Sequence, residues 1–259
     1  MKKFKLVKDN KKIIPCLSEI PENPKAVVIM VHGFTSSKSC ATAELLFRRF
    51  PECGVGVVTY DQPAHGKEEA RDELLRIESC KQSLACVEEY VSVNYPDAEI
   101  FYFASSFGAY ITGLYISTKK HKGRKAFFRS AAVIMPELVL GPEGAEPDAE
   151  IMAELDEKGY IEPDLGLGDR IKIPRGFLED LQQNDLFKIF DNEKYGRTDI
   201  ELAHGSCDMV VPVDAAKGFA QKFGFKINIM KGENHSICTD LSSPDKVADL
   251  ALNFYFEQK

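Results

Sequence analysis

No CxxC pair, no internal repeat and no low-complexity segment occurs in this sequence of 259 residues. Each absence removes a class of protein. The seven cysteines, Cys16, Cys40, Cys53, Cys80, Cys86, Cys207 and Cys238, are odd in number and scattered. A disulfide framework or a zinc site is therefore not expected, and reduced thiols in the cytoplasm are. Cys80 and Cys86 are six apart on an expected helix and read as packing residues. No run approaches the length needed to span a bilayer. The N-terminus, MKKFKLVKDNKKIIP, is basic but is not followed by the apolar core of a signal peptide. Basic charge is in deficit overall, with 33 Lys and Arg against 40 Asp and Glu, a net charge of -7 and a pI near 5.4. Nucleic acid and anionic membranes are accordingly poor partners.

What the chain does have is alternation. Residues 4 to 20 alternate apolar and polar side chains around Asp9-Asn10, as a hairpin would. Ala26 to Val31, AVVIMV, is a continuous apolar run of the kind found in strands buried on both faces of a parallel sheet. Helix-compatible sequence from Ser39 to Phe50 follows, then a short strand from Gly54 to Tyr60. From Glu68 to Asn94 an amphipathic helix is expected, with Leu84, Val87 and Val91 at helical spacing. Ile100 to Thr112 reads as strand, corner and helix, and Ala131 to Met135 as a further strand. Strand and helix recur again at Asp199 to Ala203, Val213 to Phe223 and Lys226 to Met230, before a last helix from Pro244. This points to one doubly wound, mostly parallel α/β sheet, with ligand-binding loops along one edge.

The pattern breaks between Glu137 and Phe190, where acidic residues, proline and glycine replace apolar strands. A small hairpin at Tyr160-Ile161 and Ile171 to Ile173 and a helix from Phe177 to Gln183 fit there. The segment offers too little apolar material for a core of its own. Residues 137–190 are thus expected to be a lid inserted into a core made of residues 1–136 and 191–259.

Chemistry concentrates at the corner in Ile100 to Thr112. Ser106 has Ala104 two residues before it and Gly108 two after, a relative of the GxSxG nucleophile turn, where the flanking positions must be small. Ser105 would have Phe103 and Phe107 in those positions, which are too bulky. A serine hydroxyl needs a base and usually an acid to orient that base. In such a sheet they follow in the order Ser, Asp or Glu, His. Asp208 lies in the loop after the strand ending near Ala203, and His235 in the loop after the strand ending near Met230. Of the other histidines, His32 and His65 precede glycines and brace loops, His121 sits in the solvated stretch KKHKGRK, and His204 pins a turn. Asp214 falls where helix capping explains it, and Glu233 is a weaker rival acid. The backbone N–H groups of Phe107 and Phe34 are the expected oxyanion donors.

With these residues the sequence resembles the α/β-hydrolase superfamily, in the branch of monoacylglycerol lipases, serine aminopeptidases related to proline iminopeptidase, and bacterial cinnamoyl or feruloyl esterases. His32-Gly33-Phe34, Asp61 with His65-Gly66, Ala104-Ser105-Ser106-Phe107-Gly108, His204-Gly205 with Asp208 and Val211-Pro212, and Asn234-His235 carry the resemblance. Many relatives have Gly-His before the serine, and glycine before the histidine that here is His65. The resemblance implies an α/β-hydrolase fold with a lid, and an ester hydrolase acting through an acyl-enzyme on small or medium neutral esters, without metal or organic cofactor. Phe34, Ser105, Leu138 and Leu140 are the expected substrate contacts. An aminopeptidase or acyltransferase with the same residues stays open, as does a non-catalytic binding protein on this scaffold. So do monomer and homodimer.

Overall fold

The computed structural model describes residues 1–8, 11–142, 148–163 and 170–257. Strands β1 (Lys2–Lys8) and β2 (Lys12–Glu19) pair antiparallel as the N-terminal hairpin, whose turn residues Asp9 and Asn10 lie outside the described residues. β3 (Ala26–Val31), α1 (Ala41–Arg49), β4 (Val55–Tyr60), α2 (Ile77–Asn94), β5 (Glu99–Ser105), α3 (Phe107–Thr118) and β6 (Gly123–Arg129) complete the first half. Then come α4 (Met135–Leu140), α5 (Ala149–Lys158), β7 (Tyr160–Ile161), β8 (Ile173–Pro174), α6 (Arg175–Gln183) and α7 (Leu186–Ile189). The chain ends with β9 (Asp199–Gly205), α8 (Val213–Phe223), β10 (Lys226–Met230) and α9 (Ser243–Phe256).

Eight strands form one sheet in the order β1-β2-β4-β3-β5-β6-β9-β10. From β4 to β10 every neighbour is parallel, and β2 alone runs against them, since β1, antiparallel to β2, points the same way as the rest. This is the α/β-hydrolase fold. The chain leaves β3 toward β4 on one side and returns to β5 on the other, so the crevice beside β3 and β5 is the switch point at which such sheets bind ligands.

The apolar runs bury as expected. Every residue of β3 is buried, because the sheet is covered on both faces. On one face Val28, Met30, Phe101, Phe103 and Phe127 pack under α1 and α9 through Leu46, Phe50, Val247 and Tyr255. On the other, Val27, Ile29, Tyr102 and Phe128 pack with Leu84 and Val87 of α2 and Ile111 and Leu114 of α3. Among the described residues of 137–190, Leu155, Ile161, Ile173, Phe177, Leu181 and Leu186 join this second cluster. β7 and β8 form the small hairpin, with Ile161 opposite Ile173.

Two expectations fail. Residues 131–135 are not a strand; the strand is β6, seven residues earlier in GRKAFFR, and Ala131 to Ile134 form the bend behind Ser106. The long helix begins at Ile77 rather than Glu68, after a short 3₁₀ turn at Glu69–Asp72.

Candidate functional site

The corner after β5 is tight. Ser106 has φ 52° and ψ -118°, a conformation that an L-residue holds only where its surroundings enforce it. Its amide donates to Arg129 O on β6, and its carbonyl accepts from Ala109 N at the start of α3 and from Ala132 N. The small flanking residues are explained by contact. Ala104 is buried within β5 between Val31 and Phe128, and a Cβ at Gly108 would overlap the carbonyl oxygens of Val31 and His32. Gly33 also passes near, since a Cβ there would meet Ser106 Cβ at 3.3 Å. The loop carrying Phe34 therefore lies directly beside the serine.

Three side chains converge at this corner. His235 Nε2 lies 2.9 Å from Ser106 Oγ, and His235 Nδ1 lies 2.7 Å from Asp208 Oδ2. Asp208 Oδ1 accepts from the amides of Val210 and Val211, each at 2.9 Å. Burial opposes the Asp208 charge, but hydrogen bonds from His204, His235 and Val211 hold its carboxyl well below the usual carboxylate range. It is an anion at neutral pH. With an anion against Nδ1, the imidazole proton sits on Nδ1 and Nε2 is left to accept from the serine hydroxyl.

Neighbouring strand ends hold the histidine loop in place. Ser130 Oγ donates to His235 O at 2.8 Å, and Arg129 donates to Ser236 O. Gly205, at the end of β9, touches the carbonyls of Glu233 and Asn234 so closely that no side chain fits. None of these supports has a sequence signal of its own beyond the glycine.

The rival residues are otherwise engaged. Asp214 is 86% exposed and pairs with Lys217. Glu233 is buried and accepts from the amides of Thr239 and Asp240. His32 bonds Gly33 O through Nδ1 and accepts from Gln62 N through Nε2, and His65 bonds Pro63 O, so both brace loops. His121 is not solvated as expected; its ring packs beside Tyr115 and against Gly196. His204 does pin its turn, through Val211 O, but it also reaches Asp208, a contact that sequence spacing does not reveal.

Of the expected substrate contacts, Phe34 belongs to an aromatic wall: its ring is 5.2 Å from Phe107 and 6.3 Å from Phe177 of the inserted segment. Ser105 is buried with its hydroxyl 3.5 Å from Arg129 Nη1. Leu140 lines a cavity of about 660 Å³ between α4, α5 and α6, together with Ile134, Met152, Leu155 and Leu181. Leu138 is not among the residues lining that cavity and is 37% exposed. Among the described residues no group of three or more His, Cys, Asp or Glu is arranged to hold a metal ion, and no helix is long and apolar enough to cross a membrane.

A family profile described as "Serine aminopeptidase, S33" matches residues 22–169, more than half of the chain. The chain belongs to the serine aminopeptidase S33 family. The matched part of this S33 chain includes Ser106, while Asp208 and His235 lie beyond it. As a family member it is a hydrolase of the α/β-hydrolase superfamily. No curated protein matches the sequence significantly. Solved structures do resemble it. Est1E from Butyrivibrio proteoclasticus with ferulic acid bound superposes with a TM-score of 0.79 at 18% identity, covering 98% of this chain and all of that one. A putative hydrolase from Agrobacterium vitis reaches 0.81 at 17% identity, covering 99% of both chains. The esterase domain of a Rhodothermus marinus protein reaches 0.69 at 16% identity, with 97% of both covered. At such identities the likeness is one of fold.

Proposed function

We propose that this S33 chain is a serine carboxylester hydrolase acting through an acyl-enzyme on small to medium neutral esters. The observation that carries this reading is the unbroken relay from Ser106 Oγ through His235 to Asp208, at 2.9 and 2.7 Å. Ser106 Oγ attacks the ester carbonyl carbon while its proton passes to His235 Nε2. Asp208 holds the ring by Nδ1–H and stabilises the imidazolium that forms. The negative oxygen is received by the N–H groups of Phe34 and Phe107. Phe107 is the first residue of α3, so its amide has no partner within the helix. When the tetrahedral intermediate collapses, His235 returns the proton to the leaving alcohol. Water then attacks the acyl carbon, gives its proton to His235, and the acid departs as Ser106 regains its hydrogen.

The inserted residues 137–190 serve as the lid and select the substrate. The half-buried Phe34 ring, backed by the buried Phe107 and Phe177, together with the Leu140 cavity, supports an aryl or medium acyl group. That cavity adjoins the serine's support, because Ile134 lines it and Ala132, two residues earlier, donates to Ser106 O. Ferulic acid bound to the similarly folded Est1E makes feruloyl esters the first aryl substrates to try. A second reading, aminopeptidase, has the family behind it, and the cavity lining, where Glu137, Asp148, Glu179 and Asp185 outnumber Arg175 and Lys188, would suit a substrate ammonium. All seven cysteines are unbridged, which supports a reducing, cytoplasmic setting.

Ser106→Ala should lower kcat on p-nitrophenyl esters by at least about a thousandfold, in line with removal of a nucleophile acting with its base. A variant that kept most of the wild-type rate would end this reading. Faster turnover of amino-acyl p-nitroanilides than of feruloyl and short acyl esters would favour the peptidase. A protein that takes up a fluorophosphonate at Ser106 but turns over neither class would be a binding protein.

A further inference from the structure

Asp208 Oδ2 faces two imidazoles, and the mechanism above uses only one. His204 Nε2 is 3.0 Å from Oδ2 and 2.9 Å from Val211 O, while His235 Nδ1 is 2.7 Å from the same Oδ2. Both atoms near His204 Nε2 can only accept, so Nε2 carries a hydrogen and shares it between them. His204 is fully buried, and its Nδ1 has no hydrogen-bond partner among the described residues. A hydrogen on Nδ1 would be a buried donor with nothing to accept it. Nε2 is therefore the nitrogen through which His204 donates.

From this geometry we infer that His204 is a positioning residue for the proposed triad, its Nε2–H occupying one lone pair of Asp208 Oδ2 so that the other is aimed at His235 Nδ1. The amides of Val210 and Val211 hold Oδ1 alone, which leaves the carboxylate free to rock about its Cβ–Cγ bond. A donor on Oδ2 from a third direction removes that freedom. A neutral donor does so without cancelling the Asp208 charge on which the His235 imidazolium depends, as a lysine or arginine would. The turn is built to bring this about. His204 and Asp208 are four residues apart around it, and the second acceptor of Nε2, Val211 O, fixes the ring to the turn's far end.

This inference rests on the proposed triad, and the test separates the two. Kinetics on a p-nitrophenyl ester would be measured for Ser106→Ala, Asp208→Asn, His204→Phe and His204→Gln, each first checked for a wild-type-like melting transition. Losing one hydrogen bond to a buried charge corresponds to a drop in kcat of about ten- to a hundredfold for His204→Phe, with KM little changed. His204→Gln, whose amide N–H reaches the region of Nε2, should recover most of that loss. Full kcat in His204→Phe, a loss confined to KM, or a glutamine variant no better than phenylalanine would overturn the positioning role. Wild-type rates in Ser106→Ala or Asp208→Asn would instead overturn the triad itself. If His204→Phe does not fold, nitrogen-15 NMR of the wild-type histidines decides the matter. His204 should show an unprotonated Nδ1 and a protonated Nε2 at neutral pH, and a doubly protonated ring would refute the assignment.

Discussion

At the scale of single residues, the site depends on positions where no larger side chain fits. Ser106 is held at positive φ by bonds from its own amide and carbonyl to Arg129, Ala109 and Ala132. Gly108 permits this by letting α3 rest directly on the carbonyls at the end of β3. Those carbonyls belong to backbone and cannot swing aside. Gly108→Ala is therefore expected to destabilise the protein by about 3 kcal/mol or more, the high end for overpacking. Urea denaturation followed by far-UV circular dichroism measures this, and a cost below about 1 kcal/mol would mean that α3 can slide. The small-residue requirement at Ala104 and Gly108 was legible in the sequence because it follows from chain crowding at any such corner. The engagement of Asp208 by His204 was not, since nothing in the spacing of the two residues separates a turn brace from a partner of the acid.

At the scale of elements, sequence placed well those whose apolar residues form a run or recur at strand or helix spacing. AVVIMV in β3 and the edges of α8 and β10 fall where the pattern put them. β6 escaped because its sequence, GRKAFFR, looks like a solvated basic stretch. Its charges are in fact accepted by other elements: Lys125 Nζ donates to Phe254 O at 2.8 Å and Tyr255 O at 3.0 Å, at the negative end of α9, and Arg129 donates to the histidine loop. The apolar residues Ala131 to Met135 satisfy the hydrophobic criterion for a strand, yet their backbone is taken up by the bend behind Ser106. A second arrangement invisible to periodicity ties together the loops after β3 and β4. Lys38 Nζ lies 2.6 Å from Asp61 Oδ2 and 3.0 Å from Glu68 Oε1, and Lys38 N donates to Asp61 Oδ1. The Asp61 side chain is fully buried and that of Lys38 only 7% exposed. Lys38→Met would strand the Asp61 carboxylate, with an expected cost of about 3 to 5 kcal/mol. The double variant with Asp61→Asn should be closer to wild type than the single one, because the stranded charge is gone. Equal loss in both, read from urea midpoints, would show that packing rather than charge governs this clamp.

For the molecule as a whole, the histidines inside the switch-point crevice make stability depend on pH. His32 and His65 are fully buried, with ring centroids 5.2 Å apart. Burial lowers the pKa of both, and for His65 burial, the neighbouring His32 and Arg71 together push it down to about 3. In the unfolded chain each titrates near 6.5. Below that pH the unfolded chain binds protons that the native protein refuses, so the stability these rings contribute is complete above about 6.5 and is lost as pH falls, for His65 down to about 3. For His65 the loss is about 1 kcal/mol per pH unit once the pH is well below 6.5 and still above about 3. The Asp208 carboxylate, held low in the native state, adds a loss of the same sign only below the ordinary aspartate range. Glu88 acts in the opposite sense, because burial raises its pKa and its charge is easier to bear when unfolded. Between pH 6.5 and about 5 the two histidines lower stability as the pH falls. Melting temperature should fall steadily over that interval, and His65→Asn, whose amide N–H can still reach Pro63 O, should melt lower at pH 7 yet lose less per pH unit. Scanning calorimetry from pH 7 to 5 on both proteins measures the two slopes. Identical slopes would mean that the acid sensitivity arises elsewhere, and would separate the crevice's packing, which the aromatic wall provides, from any part in setting the pH range over which the enzyme stays folded.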